Sequence, residues 1–167
     1  MNRFLRILKH LAAPHWVVRR AFPARTGEAV ARAVREIEKS YDVELRVVVE
    51  GGMPPLALVR GKSARARAVE LFSMLRVWDT AHNTGVLLYV QFADRKIEIV
   101  ADRGISAKVK QEEWNAACAR IAQEFRSGRY EAGALAGIAA IGALIAEHVP
   151  PAPPGKADEL PDRPTIL

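Results

Sequence analysis

Six polar residues fall where two loops of the predicted fold must meet. Asp79, His82 and Asn83 lie in one loop, Asp102 and Arg103 in the other, and Asp42 stands just ahead of a predicted strand. Carboxylate and amide oxygens on adjacent loops are the donors a hard divalent cation prefers, so Ca²⁺ or Mg²⁺ is the cofactor this pattern would hold. On that reading Asp42, Asp79, Asn83 and Asp102 are the metal ligands. Arg103 could receive a phosphate bidentately, with His82 as the second substrate-binding residue. The same residue types cap turns throughout proteins, and spacing alone leaves both readings open. No nucleophile can be picked out. The residues therefore point no further than the binding of a phosphate-containing small molecule.

What brings these residues together is a hairpin. Val86–Phe92 is almost continuously apolar, as a strand buried on both faces should be. Ile97–Ala101 alternates, with Ile97 and Ile99 opposite Lys96 and Glu98, as a half-exposed strand should. Asp94-Arg95 between them is short enough to force an antiparallel pair. The loop entering the first strand then lies beside the loop leaving the second.

The remaining elements follow from periodicity. Val30, Val34, Ile37 and Tyr41 form the apolar stripe of a helix over 24–41. Val43, Leu45, Val47 and Val49 alternate into a strand that ends at Gly51-Gly52. Met53–Lys62 reads as a loop. Ser63 is the expected N-cap of a helix bearing Ala68, Leu71, Phe72 and Leu75. Strand, helix, strand implies a crossover with the two strands parallel. Two helices follow, one from about Gln111 and one over Tyr130–His148, where Gly133 and Gly137 favour close packing on the sheet.

Charge divides the chain unevenly. Residues 1–35 hold eight Arg and Lys against Glu28 alone, a balance of +7 that leaves −1 for the rest of a chain of formal charge +6. Phe4, Leu5, Leu8 and Leu11 recur at helical spacing among Arg3, Arg6 and Lys9. That helix either docks on the domain by its apolar face or acts as an interfacial helix for an anionic membrane surface or an acidic protein. Trp16 to Phe22 reads as an apolar linker. Nucleic acid would want a basic face interleaved with aromatics and is not expected.

Cys118, the only cysteine, excludes an internal disulfide and falls on the apolar side of its helix, as a structural thiol would. The N-terminus lacks the apolar core of a signal peptide, so a cytoplasmic protein, peripheral to a membrane at most, is expected. Phosphate-loop, dinucleotide, serine-hydrolase and zinc-protease motifs are absent.

From roughly Glu28 to His148 the sequence resembles the TPM domain family, named for thylakoid-lumen, photosystem-repair and receptor-modulator members. The resemblance is carried by His82-Asn83-Thr84-Gly85-Val86-Leu87-Leu88, by Asp94-Arg95-Lys96, by Gly104-Ile105, and by the run from Phe125 through Gly128 and Tyr130 to Gly133. Two positions depart from the family pattern. Asn83-Thr84-Gly85 replaces an Asn-Gly, and Asp102-Arg103-Gly104 replaces a Gly-x-Gly. The resemblance implies an α/β fold, a three-layer α/β/α sandwich with a small central mixed sheet and the hairpin 86–101 at its centre. It also implies phosphatase activity and calcium binding, which some members have. The expected organisation is a basic N-terminal helix and linker over 1–23, the α/β domain over 24–149, and a disordered Pro-rich tail over 150–167.

Overall fold

The computed structural model describes residues 3–13 and 15–167, apart from the side chains of Arg3 and His15, so the expected charge of Arg3 on the basic helix lies outside what is described. Its elements in chain order are α1 (Arg3–Leu11), α2 (His15–Ala21), α3 (Ala24–Ser40), β1 (Glu44–Glu50), α4 (Pro55–Val59) and α5 (Ala64–Met74). Then come β2 (Gly85–Gln91), β3 (Lys96–Ala101), α6 (Arg103–Ser106), α7 (Gln111–Arg126), α8 (Tyr130–His148) and β4 (Thr165–Ile166). Ser63 caps α5 as expected, its Oγ accepting from the Ala66 N–H at 3.1 Å. The expected loop after β1 contains one short helix, α4, begun by Pro55.

The strands form one mixed sheet in the order β3-β2-β1-β4. β1 and β2 are parallel, with Val47 opposite Leu88, and β2 and β3 are antiparallel, with Leu88 opposite Ile99. The hairpin is therefore not wholly central: β2 is interior, but β3 is an edge, because the crossover returns β1 to the other side of β2. Side-chain alternation separates two cores. Leu45, Val47, Val49, Val86, Leu88, Val90 and Ile99 pack under α2, α3, α7 and α8. Val48, Leu87, Tyr89 and Val100 pack under α5 with Met53 and Leu58. Helices on both faces of the sheet make the three-layer sandwich.

Helix α8 is long and apolar enough to cross a membrane by length and composition. In the fold one face of it packs into the core, through Ala134, Ile138, Ile141 and Ile145. A Cβ on Gly133 would lie 2.6 Å from the Phe125 ring, and one on Gly137 would lie 2.3 Å from Ile121. The small residues thus admit α7 rather than the sheet.

Two expectations at the chain ends are corrected. The tail is ordered. Thr165–Ile166 pairs in parallel with β1 as β4, Leu160 is buried, and Gly51 N–H donates to the Leu167 carbonyl at 3.0 Å. Arg46 donates to the Pro161 carbonyl and the Thr165 hydroxyl, and Lys156 pairs with buried Glu44. Proline makes such a segment look aperiodic, but its carbonyls here find distant partners. At the other end, residues 16–22 are not a linker: α2 places Val18 and Phe22 in the core.

Helix α1 does not dock by its apolar face either. Ile7 packs against the α5-side core beside a polar anchor, while Phe4, Leu5, Leu8 and Leu11 are 46–64% exposed. The domain is shaped to receive this helix, because a Cβ on Gly52 would stand 2.4 Å from the His10 carbonyl.

Candidate functional site

The two loops meet as the hairpin requires. Asp102 N–H donates to the Gly85 carbonyl at 2.8 Å, and Gly104 N–H donates to the Asn83 carbonyl at 3.0 Å. Asn83 has φ +56°, a left-handed conformation its short amide tolerates. Gly104 is needed for the approach, since a Cβ there would lie 2.5 Å from the Asn83 carbonyl.

At this acidic end the side chains are largely committed to one another. Asn83 Oδ1 accepts from Arg103 Nε at 3.1 Å and from a terminal guanidinium nitrogen at 2.8 Å. Asp102 caps α6, its Oδ1 accepting from the Arg103 N–H at 2.7 Å. Asp42 pairs with His82 Nδ1 at 2.7 Å. Asp79 is exposed, and its N–H closes a turn on the Arg76 carbonyl. Asp102 Oδ2 differs, being a buried oxygen without a hydrogen-bond partner among the described residues.

Two groups of three acidic or histidine side chains among the described residues have ligand atoms within 4.8 Å of one another: Glu113, Glu147 and His148, and Glu38, Glu44 and Asp158. Asp42, Asp79 and Asp102 do not form such a group. The loop edge thus brings Asn83, Asp102 and Arg103 together, and separately Asp42 and His82.

The turn end of the sheet holds the residues that sequence reasoning passed over. Asp94, expected only to turn the hairpin, anchors α1: Arg6 Nε donates to its Oδ2 at 2.9 Å, and His10 Nε2 lies 3.1 Å from its Oδ1. Arg6 also donates to the Lys62 carbonyl at 2.9 Å, and the Met53 N–H donates to His10 Nδ1 at 3.0 Å. The available signal was the four-residue spacing of Arg6 and His10, which puts both on one helix face. Burial pushes the Asp94 carboxyl up, but Arg6 and His10 outweigh it and hold it below the usual carboxylate range.

His10 couples this anchor to pH. Its Nδ1 accepts the Met53 N–H, so the bound imidazole is neutral, and burial lowers its pKa against the pull of Asp94. A histidine with a depressed folded pKa stabilises the fold fully above its unfolded pKa, and that contribution is lost as pH falls through the lower, folded value. Acidification should therefore loosen α1 before the core. Amide protection in α1, exchange corrected for its intrinsic slowing in acid, is expected to be lower at about pH 5 than at about pH 7.5. His10→Asn, which can accept from Met53 without titrating, should flatten the difference.

An α/β/α sandwich with a four-stranded β3-β2-β1-β4 sheet, a loop edge at Asn83 and Asp102, and a helical pair closed by Phe125 and Tyr130 defines the class of domain. The TPM domain profile matches residues 20–144, and the chain belongs to the TPM domain family. Among solved structures, the BA42 protein of the psychrophilic bacterium Bizionia argentinensis is 28% identical, with a TM-score of 0.74 over 86% of this chain and 94% of its own. The N-terminal domain of a protein from P. gingivalis shares the fold at 21% identity and a TM-score of 0.60, over 75% of this chain and 78% of its own. The search of curated proteins gave no match.

Proposed function

We propose that this TPM domain is an interfacial docking module whose N-terminal helices lie on an anionic membrane surface at the cytoplasmic side. One observation carries the reading: α1 is held by Arg6, His10 and Ile7 and turns Leu5, Leu8 and Leu11 outward. Leu5, Leu8 and Leu11 are 57%, 46% and 63% exposed, and Trp16 at the start of α2 is 66% exposed. Lys9 on α1 and Arg19 and Arg20 on α2 are exposed as well. An apolar stripe bordered by cations is the pattern of a helix lying in the headgroup region. Each cation near an anionic surface adds about 1 kcal/mol, which can offset a short apolar face.

The intact chain should co-sediment with phosphatidylglycerol vesicles at low salt, less so at high salt, and hardly at all with phosphatidylcholine vesicles. Leu5→Glu/Leu8→Glu should abolish sedimentation without lowering the melting temperature, because both side chains are exposed. An intact protein that stays in the supernatant at low salt sinks the membrane version and leaves an acidic protein as the partner.

A second reading, a divalent cation at the loop edge that supports hydrolysis of a phosphate ester, is favoured by one atom, the unpartnered Asp102 Oδ2. The donor set fits such an ion only in part, because Arg103 occupies Asn83 Oδ1. On this reading calorimetry should detect weak Ca²⁺ or Mg²⁺ binding that Asp79→Asn/Asp102→Asn removes and Arg103→Ala strengthens. Equal heats for all three proteins would eliminate it. Assay of a phosphomonoester with and without chelator then separates an enzyme from a structural ion site.

A further inference from the structure

Beneath the hairpin turn, on the α7–α8 face of the sheet, lies a cleft of about 240 Å³ that neither reading above uses. Its walls include Phe92, Phe125 and Tyr130, and its rim carries Arg95 and Arg126. The aromatic rings already pack together, Phe92 on Tyr130 and Phe125 on Tyr130, each pair with centroids 5.3 Å apart. We infer that this cleft is a binding site for a small organic oxyanion with a single-ring apolar body, such as an aryl carboxylate or aryl phosphate.

Charge complementarity selects that occupant. Neither Arg95 nor Arg126 joins an ion pair among the described residues, whereas Arg6, Arg35, Arg67 and Arg129 do. The Tyr130 hydroxyl has no hydrogen-bond partner there either. An anionic head would meet two guanidinium forks, while the ring meets aromatic edges and faces.

Arg95 adds an independent point. It closes the turn, its N–H on the Phe92 carbonyl at 3.2 Å, with φ +53°. Glycine or asparagine would adopt that conformation more cheaply, by roughly 1 kcal/mol. An arginine kept in strain at the mouth of a cleft suits a side chain with a task. The volume lies below the roughly 300–1,000 Å³ of sites for larger ligands, which restricts the body to one ring.

The test is an amide-shift titration of the isotope-labelled full chain with benzoate, phenyl phosphate, benzyl alcohol and inorganic phosphate. Saturable shifts at Ile97, Ala122 and Arg126 are expected with benzoate or phenyl phosphate. Benzyl alcohol, which lacks the charge, and inorganic phosphate, which lacks the ring, should each bind at least about tenfold more weakly. The tighter of the two aryl anions identifies the head group. Arg95→Gln/Arg126→Gln should weaken the aryl anion at least about tenfold while leaving benzyl alcohol unchanged. Both arginines are exposed, and unshifted amides elsewhere will report an intact fold. The inference is overturned if no saturable shift appears at these residues, if benzyl alcohol binds as well as the anions, or if the double variant binds them undiminished.

Discussion

Replacing Arg67 by methionine will destabilise the domain by about 3–5 kcal/mol, because it strands a buried carboxylate. Glu50 at the end of β1 is 2% exposed, and Arg67 on α5 clasps it bidentately, with nitrogen–oxygen distances of 2.6 to 3.2 Å. Tyr89 on β2 donates its hydroxyl to Glu50 Oε2 at 2.6 Å. Burial beside Glu50 holds that phenol well above its usual pKa, so it remains a donor across the working pH range. Two strands and the crossover helix are thus tied at one carboxylate, on the apolar face where an unpaired charge is most costly. Methionine keeps the aliphatic stem and removes the partner. A fall in melting temperature of roughly 10 °C is expected for a chain of this size. Adding Glu50→Gln to Arg67→Met should recover much of the loss, since the neutral amide no longer needs a cation. A double variant as unstable as the single one would mean that the arginine acts by packing, not by charge.

That network was invisible in the sequence for a physical reason. Glu50 follows a run of valines and looks like the polar end of a strand, while Arg67 looks like one more solvated cation on an amphipathic helix. Only the register of α5 over β1 brings them together, and periodicity carries no information about register between layers. The elements themselves were legible. β2 was a continuous apolar run because helices cover both its faces, and α8 followed from its small and apolar residues. The tail was misread because order there comes from distant partners, Arg46 and Glu44, and not from local pattern.

The loop edge was half legible. Antiparallel pairing placed Asn83 against Asp102 correctly, since that depends only on the hairpin. Whether their oxygens would face an ion or a neighbouring side chain depended on Arg103, whose side chain reaches Asn83. The apolar spacing of α1 was visible, but its direction was not. A helix with Leu5, Leu8 and Leu11 on one side should bury them, and only the Arg6 and His10 anchor on Asp94 shows that it turns them outward. Their exposure is what separates a docking surface from a core stripe.

Glu38→Gln should stabilise the protein at neutral pH, and by an amount that grows with pH. Glu38 on α3 is buried, and its Oε1 accepts from the Leu45 N–H at 2.8 Å. Burial pushes its carboxyl up to about 9, with Glu44 and Asp162 adding to the shift and the Leu45 bond opposing it. Below the unfolded value near 4.5, Glu38 is protonated whether folded or not, and its contribution to the fold is complete. Between that value and about 9 the unfolded chain ionises while the folded one must hold the proton, so stability drains away as pH rises. Glutamine presents the same carbonyl oxygen to Leu45 and an N–H toward the neighbouring carboxylates, with no proton to take up. The gain should be about 2–3 kcal/mol at pH 7, larger toward pH 9 and near zero around pH 4. Urea unfolding of both proteins across that range is the measurement. A difference that does not vary with pH would show that Glu38 is ionised in the fold. The Lys156–Glu44 pair and the Arg35–Asp162 pair would then be neutralising the cluster from the tail side.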